Sequence, residues 1–116
     1  MNTTSEVPEP EFDSSGYPTE GTLEVIRKWP METYANAHDL MLYCQRAWSD
    51  YGFLRCSKRR TRPWKNSKIL EWHWTAVTGG WSGNESILSA LEDNTMFWMV
   101  CWEMSERGGR HEFRTV

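Results

Sequence analysis

Thr78-Gly79-Gly80-Trp81-Ser82-Gly83-Asn84-Glu85 joins the strongest strand pattern in the chain to one of its clearest helices, with three glycines in five residues. Ahead of it, Leu70, Trp72, Trp74 and Ala76 alternate with Glu71, His73, Thr75 and Val77. Period two with one strongly apolar side predicts a half-buried strand over Lys68–Thr78. Behind it, Ile87, Leu88 and Leu91 fall at helical spacing and predict a helix over Ser82–Asn94. Gly79, Gly80 and Gly83 permit the tight or left-handed path between the two. Ser82 with Glu85 three residues on reads as a capping box, and Asn94 as a terminator. A chain with this punctuation alternates strand and helix, so any fold must accommodate a sheet with helical cover.

The same stretch is a candidate ligand loop. Free amides at a helix start, aided by the helix dipole, can hold an anion. Its residues would be Gly79, Gly80, Trp81, Ser82, Gly83 and Asn84, with Trp81 stacking on the ligand. The competing reading is a capped turn whose Trp81 covers the core. The loop lacks the Gly-Lys-Ser/Thr ending of a Walker A loop and the dinucleotide-binding glycine pattern. Glu85 opposes an anion unless the cap occupies it.

The chain of 116 residues fits one domain. Its mean hydropathy of -0.70 fits a soluble protein, and no apolar run approaches the roughly 20 residues that span a bilayer. No apolar segment at the N-terminus suggests a secretory signal. Cys44, Cys56 and Cys101 are an odd number without paired spacing, which suits reduced thiols in a cytosol. Eight tryptophans are an excess for this length, and each buried indole N–H needs an acceptor.

Residues 1–20 carry Glu6, Glu9, Glu11, Asp13 and Glu20 with no Lys or Arg, so the remainder is net basic. Residues 1–16, rich in Pro, Glu, Ser and Thr, read as a disordered or loosely docked acidic tail, with residues 17–116 as the single domain. A helix begins at Thr19, with Leu23 and Ile26 on its stripe and Glu24–Lys28 spaced to pair; a strand over Thr22–Trp29 is the alternative. A second helix is expected over Ala37–Ser49, with Leu40, Met41, Cys44, Ala47 and Trp48 on one face. A strand follows over Phe53–Arg60.

Arg55, Lys58, Arg59, Arg60, Arg62, Lys65 and Lys68 form a basic run without an acid. The part from Arg59 to Ser67 reads as a loop. Arg59, Arg60, Arg62, Trp64 and Lys65 are the candidate partner-binding residues, because binding energy concentrates in Trp, Tyr and Arg. The same mixture suits single-stranded nucleic acid less well, the run being short. His73 with Glu71 two residues away allows a His–carboxylate contact, more often a surface pair than a general base. No metal-ligand spacing, nucleophile elbow or paired-carboxylate motif appears, so no catalytic residue, cofactor or metal is assigned.

From Thr95 to Ser105, Met96, Trp98, Val100, Trp102 and Met104 alternate with Phe97, Met99 and Cys101. Both sides are apolar, which predicts a central strand covered on two faces within the monomer, the alternative being one face covered by a partner or ligand; the pattern alone also admits a helix over this run. Arg107-Gly108-Gly109-Arg110 is a turn leading to a short strand over His111–Thr115. Arg107 and Arg110 beside glycines are further candidate anion ligands.

Thr78-Gly79-Gly80-Trp81-Ser82-Gly83-Asn84-Glu85, then Ile87 and Leu91, Phe97-Trp98, Cys101-Trp102, Ser105, Arg107-Gly108-Gly109 and Phe113 together resemble a group of small tailed-phage proteins. The Pro18-Thr19 opening is similar too. The resemblance is specific over Thr78–Phe113 and loose before it. It implies a phage accessory product acting in the host bacterial cytoplasm, of a kind that often inhibits or sequesters. No established activity attaches to the group, so no catalytic residue carries over.

The expected architecture is α+β, a four-stranded antiparallel sheet with about three helices in the order α-α-β-β-α-β-β. The first functional expectation is a non-enzymatic protein that binds a host bacterial protein, inhibiting or redirecting it, plausibly a defence component. The alternative is a small-molecule or nucleotide-like ligand held by the glycine loop with Arg107 and Arg110. No membrane is implicated, and a homodimer is left open.

Overall fold

A computed structural model describes residues 9–32, 34–64 and 67–116; the side chains of residues 34, 35 and 58–70 lie outside the described residues. Among the described residues the order is α1 (Glu20–Arg27), α2 (Tyr34–Ala47), β1 (Phe53–Trp64), β2 (Ser67–Val77), α3 (Ser82–Asp93), α4 (Thr95–Cys101), β3 (Trp102–Glu106) and β4 (Arg110–Thr115). The strands form one antiparallel sheet in the order β1-β2-β4-β3, so the fold is α+β as expected.

Thr19 caps α1, its hydroxyl accepting from the Thr22 amide at 3.2 Å, and Glu24 pairs with Lys28 at 2.9 Å. Residues 9–16 lie against this helix: Glu11 N donates to Thr22 Oγ1 at 2.8 Å and Thr19 N donates to Glu11 O at 3.0 Å. Glu9 reaches Arg46 at 3.3 Å. The α2 stripe is as the spacing predicts, with Leu40, Met41, Cys44 and Ala47 buried.

Among the described residues the helices share one core with one side of the sheet. Trp74, Ala76, Phe113 and Leu54 point into it and meet Ile26, Leu40, Met41, Ile87, Leu91, Phe97 and Cys101. The Trp74 indole finds its acceptor in Thr115 Oγ1 at 3.0 Å, across the β2–β4 pairing. The other side of the sheet carries His73, Glu103, Glu112, Arg110 and Arg114.

Three expectations are corrected. The basic segment from Arg59 is not a loop: β1 runs on through Trp64, paired from Arg59↔Trp72 to Trp64↔Ser67 after a bulge beyond Cys56. β1 is an edge strand, where proline is tolerated because one row of backbone groups needs no strand partner, and where Lys and Arg discourage further pairing. Second, Thr95–Cys101 is helix, not the first part of a central strand. Asn94 decides this. Its side chain accepts from Phe97 N at 3.3 Å, starting α4 as its own N–H closes α3 on Ala90 O and Leu91 O. Phe97 and Cys101 are then one turn apart and buried, whereas Met96 and Met99 face out. The strand proper begins at Trp102 and is a sheet edge. Third, Ser82 and Glu85 form no capping box. Trp81 is the N-cap without a side-chain bond, Ser82 Oγ pairs with Tyr17 Oη at 2.9 Å, and Thr78 Oγ1 donates to Glu85 at 3.4 Å.

Candidate functional site

The glycine turn is shaped by packing. Gly79 and Gly80 adopt φ of 66° and 75°, and a Cβ on Gly79 would run into the Tyr51 carbonyl. Asn84 is buried beneath the turn, accepting from Ser49 N at 2.8 Å and donating to Thr78 O at 3.1 Å. Trp81 lies between Tyr17 and Tyr51, ring centroids 4.6 and 4.7 Å away, and over Gly83, where a Cβ would meet its indole. A clamped indole has little freedom to stack on a ligand.

The second turn sits beside the first. Thr78 N donates to Gly109 O at 3.0 Å, and Gly109 abuts the Thr78 side chain. The sequence therefore named two turns that do meet, but the charges around them favour no anion. Arg110 pairs with Glu106 at 3.0 Å and also with Glu112. Glu85 and Glu92 act on the nearby His111, although burial is the larger influence and pushes that imidazole below its ordinary range. Ser82 lines a polar groove between α1 and α3 with Arg27, Glu85 and Asp93; Arg27 is engaged by Glu20 and Glu24 at 2.7 Å each. Arg107 is exposed. Of the candidate partner residues, Arg59, Arg60, Arg62 and Trp64 lie in β1 with side chains outside the described residues, and Lys65 lies wholly outside them.

The step from α4 into β3 is the other notable surface. Met96, Met99 and Trp102 follow one another at three-residue spacing and are 55%, 76% and 41% exposed. Large apolar groups set in a row outside a core mark contact surfaces more often than scattered ones do. The row is held rigidly from below. Trp98 stacks on Trp102 at 5.8 Å and meets Phe113 edge-on at 5.6 Å, and the Trp102 indole donates to Ser105 Oγ at 2.8 Å. That serine in turn meets His111 Nδ1 at 2.7 Å; since an indole N–H can only donate, the serine proton is available to the imidazole. Beside the row, β3 has β4 on one side and no strand on the other among the described residues.

Two of the three cysteines, Cys44 and Cys101, are buried, and Cys56 is half-buried. Burial pushes the Cys101 thiol up to about 12, and raises those of Cys44 and Cys56 as well. On the face of the sheet opposite the helical core, His73 meets carboxylates from two other strands: Nε2 lies 3.5 Å from Glu103 Oε1 and 3.2 Å from Glu112 Oε1. Glu71, two residues from His73, is buried and meets Arg114 at 3.5 Å. Sequence reasoning found His73 but not Glu103 or Glu112, which are about 30 and 40 residues away and adjoin it only through β-pairing. It also named Met96, Met99 and Trp102 only as strand residues; their common spacing of three was the available signal. No protein-family model, curated protein or solved structure matches this chain.

Proposed function

We propose that the chain is a protein-binding module: a small phage accessory protein that engages a host bacterial protein in the cytoplasm and inhibits or redirects it, a defence component being the natural target class. The observation carrying this reading is the exposed Met96–Met99–Trp102 row beside β3, which among the described residues pairs with β4 alone. Methionine adapts to irregular partner surfaces, and tryptophan contributes large contact area at small entropic cost. The phage context comes from the resemblance over Thr78–Phe113.

The occupant that fits is an extended segment. An unpaired edge accepts a strand through its backbone groups, with alternate side chains reading specificity. The methionines favour an apolar side chain in that segment.

A photo-crosslinking residue placed singly at positions 96, 99 and 102, and at exposed controls 20 and 28 on α1, tests the surface in the bacterial host. One discrete adduct from the first three positions and none from the controls is expected. Equal labelling from both sets, or an adduct only from α1, would refute the assignment.

A further inference from the structure

We infer that the sheet face opposite the helical core carries a binding site for a divalent transition-metal ion, zinc being the best fit, with His73 Nε2, Glu103 Oε1 and Glu112 Oε1 as its protein ligands. The three donors come from β2, β3 and β4 and lie within 4.8 Å of one another. Their separations carry the argument. His73 Nε2 is 3.5 and 3.2 Å from the two carboxylate oxygens. Zinc bonds of about 2.0–2.2 Å to nitrogen and oxygen set tetrahedral ligands about 3.3–3.5 Å apart, close to both separations.

The atoms behind the ligands supply an independent observation. Ser57 Oγ donates to the His73 backbone carbonyl at 2.8 Å, which uses its one proton. Its 3.1 Å contact with His73 Nδ1 is then donated by the imidazole, so Nδ1 is anchored outside the triad and Nε2 is the ring nitrogen turned toward the carboxylates. The carboxylates are held in the same manner. Glu103 turns Oε1 to His73 and Oε2 to Arg114 Nε at 3.6 Å; Glu112 turns Oε1 to His73 and Oε2 to Arg110. Every ligand thus has its second polar atom fixed by a neighbour outside the triad, as outer partners orient metal ligands.

A nitrogen donor with two carboxylates suits zinc, and disfavours magnesium and calcium, which take oxygen. The two arginines offset the carboxylate charge, so the site does not attract cations indiscriminately. Three protein ligands leave a fourth position toward solvent. Cys44 and Cys101 are buried and offer no competing thiolate in the folded protein.

The test is titration of metal-free protein with Zn2+ and with Co2+, by calorimetry and by 15N–1H spectra of the imidazoles, with His38 and His111 as internal controls. One equivalent is expected to bind, shifting the His73 ring and leaving the controls in place. His73→Gln and Glu103→Gln should weaken binding at least tenfold, and Ser57→Ala by about 10–100-fold as for an outer partner. Circular dichroism establishes that each variant is folded. Mg2+ should leave the His73 ring unmoved. Absence of saturable binding by the folded wild type, or equal binding by wild type and the folded His73→Gln and Glu103→Gln variants, would overturn the site and leave the triad an ion-pair cluster.

Discussion

The Asn94 side chain joins the end of α1 to the start of α4, and its substitution has a calculable cost. Its amide nitrogen donates to Ile26 O at 3.0 Å and to Trp29 O at 3.2 Å, tying the end of α1 to the α3–α4 junction. Its carbonyl accepts from Phe97 N at 3.3 Å as the cap of α4. The side chain is buried, so Asn94→Ala strands polar backbone groups away from water. A lost N-cap costs about 1 kcal/mol. Each further bond contributes about 0.5–1.5 kcal/mol net. The total is about 3 kcal/mol, or a fall in Tm of roughly 15 °C for a domain near 100 residues. Urea unfolding followed by tryptophan fluorescence measures it directly.

Asn94→Asp separates the two roles. Aspartate caps helices about as well as asparagine. It cannot donate, and it would aim a carboxylate at two carbonyl oxygens. If Asn94 ties α1 to the junction, Asn94→Asp is at least as destabilising as Asn94→Ala. An Asp variant within about 0.5 kcal/mol of wild type would refute the tie and leave only the cap.

Gly79→Ala should destabilise by more than about 1 kcal/mol in the same assay, because φ is positive and the new methyl meets the Tyr51 carbonyl; Gly80→Ala, strained but with open space, should cost less. Met99→Asp should change stability by less than about 0.5 kcal/mol yet abolish crosslinking at position 102, as expected of a contact residue that supports no core. His38 and His111 both have imidazoles lowered from 6.5, each chiefly by burial. Their protonation favours the unfolded chain, so their contribution is fully present above about pH 6.5 and is lost as pH falls from there toward the folded values. A urea series between pH 8 and 5 should show that decline, and a His38→Asn, His111→Asn double variant should flatten it. At pH 8 a thiol reagent should label native Cys56 ahead of Cys44 and Cys101, which should react only on unfolding; immediate labelling of all three would contradict their burial.

What was legible in the sequence was local. Alternation over Lys68–Thr78 gave β2, Thr19 gave the start of α1, and the glycines gave both turns, because each signal lies within one element. What was not legible required knowledge of neighbours. Whether Arg59–Trp64 is loop or strand depends on β1 being an edge, and edge status follows from sheet order. Ser82 and Glu85 have the spacing of a capping box, but Tyr17 and Thr78, distant or outside the motif, bind the two side chains in its place.

The run from Thr95 to Ser105 shows the limit most clearly, and shows why the two proposed surfaces adjoin. A stretch apolar at nearly every position satisfies period two and period 3.6 together, so hydrophobicity cannot choose between strand and helix. The choice falls to Asn94, whose cap bond commits the first seven residues to α4, and to Trp102, which stacks back on Trp98 as the chain turns into β3. The β3–β4 register then slips between Trp102↔Phe113 and Met104↔Glu112, leaving Glu103 in a bulge. A bulge re-aims a side chain and bends an edge. Here Trp102 stays beside the methionine row while Glu103, the next residue, meets His73. A regular strand would also place alternate residues on opposite faces, but it would keep Glu103 opposite a residue of β4 in register. The irregularity thus falls at the one step that joins the apolar rim to Glu103 of the proposed ligand set.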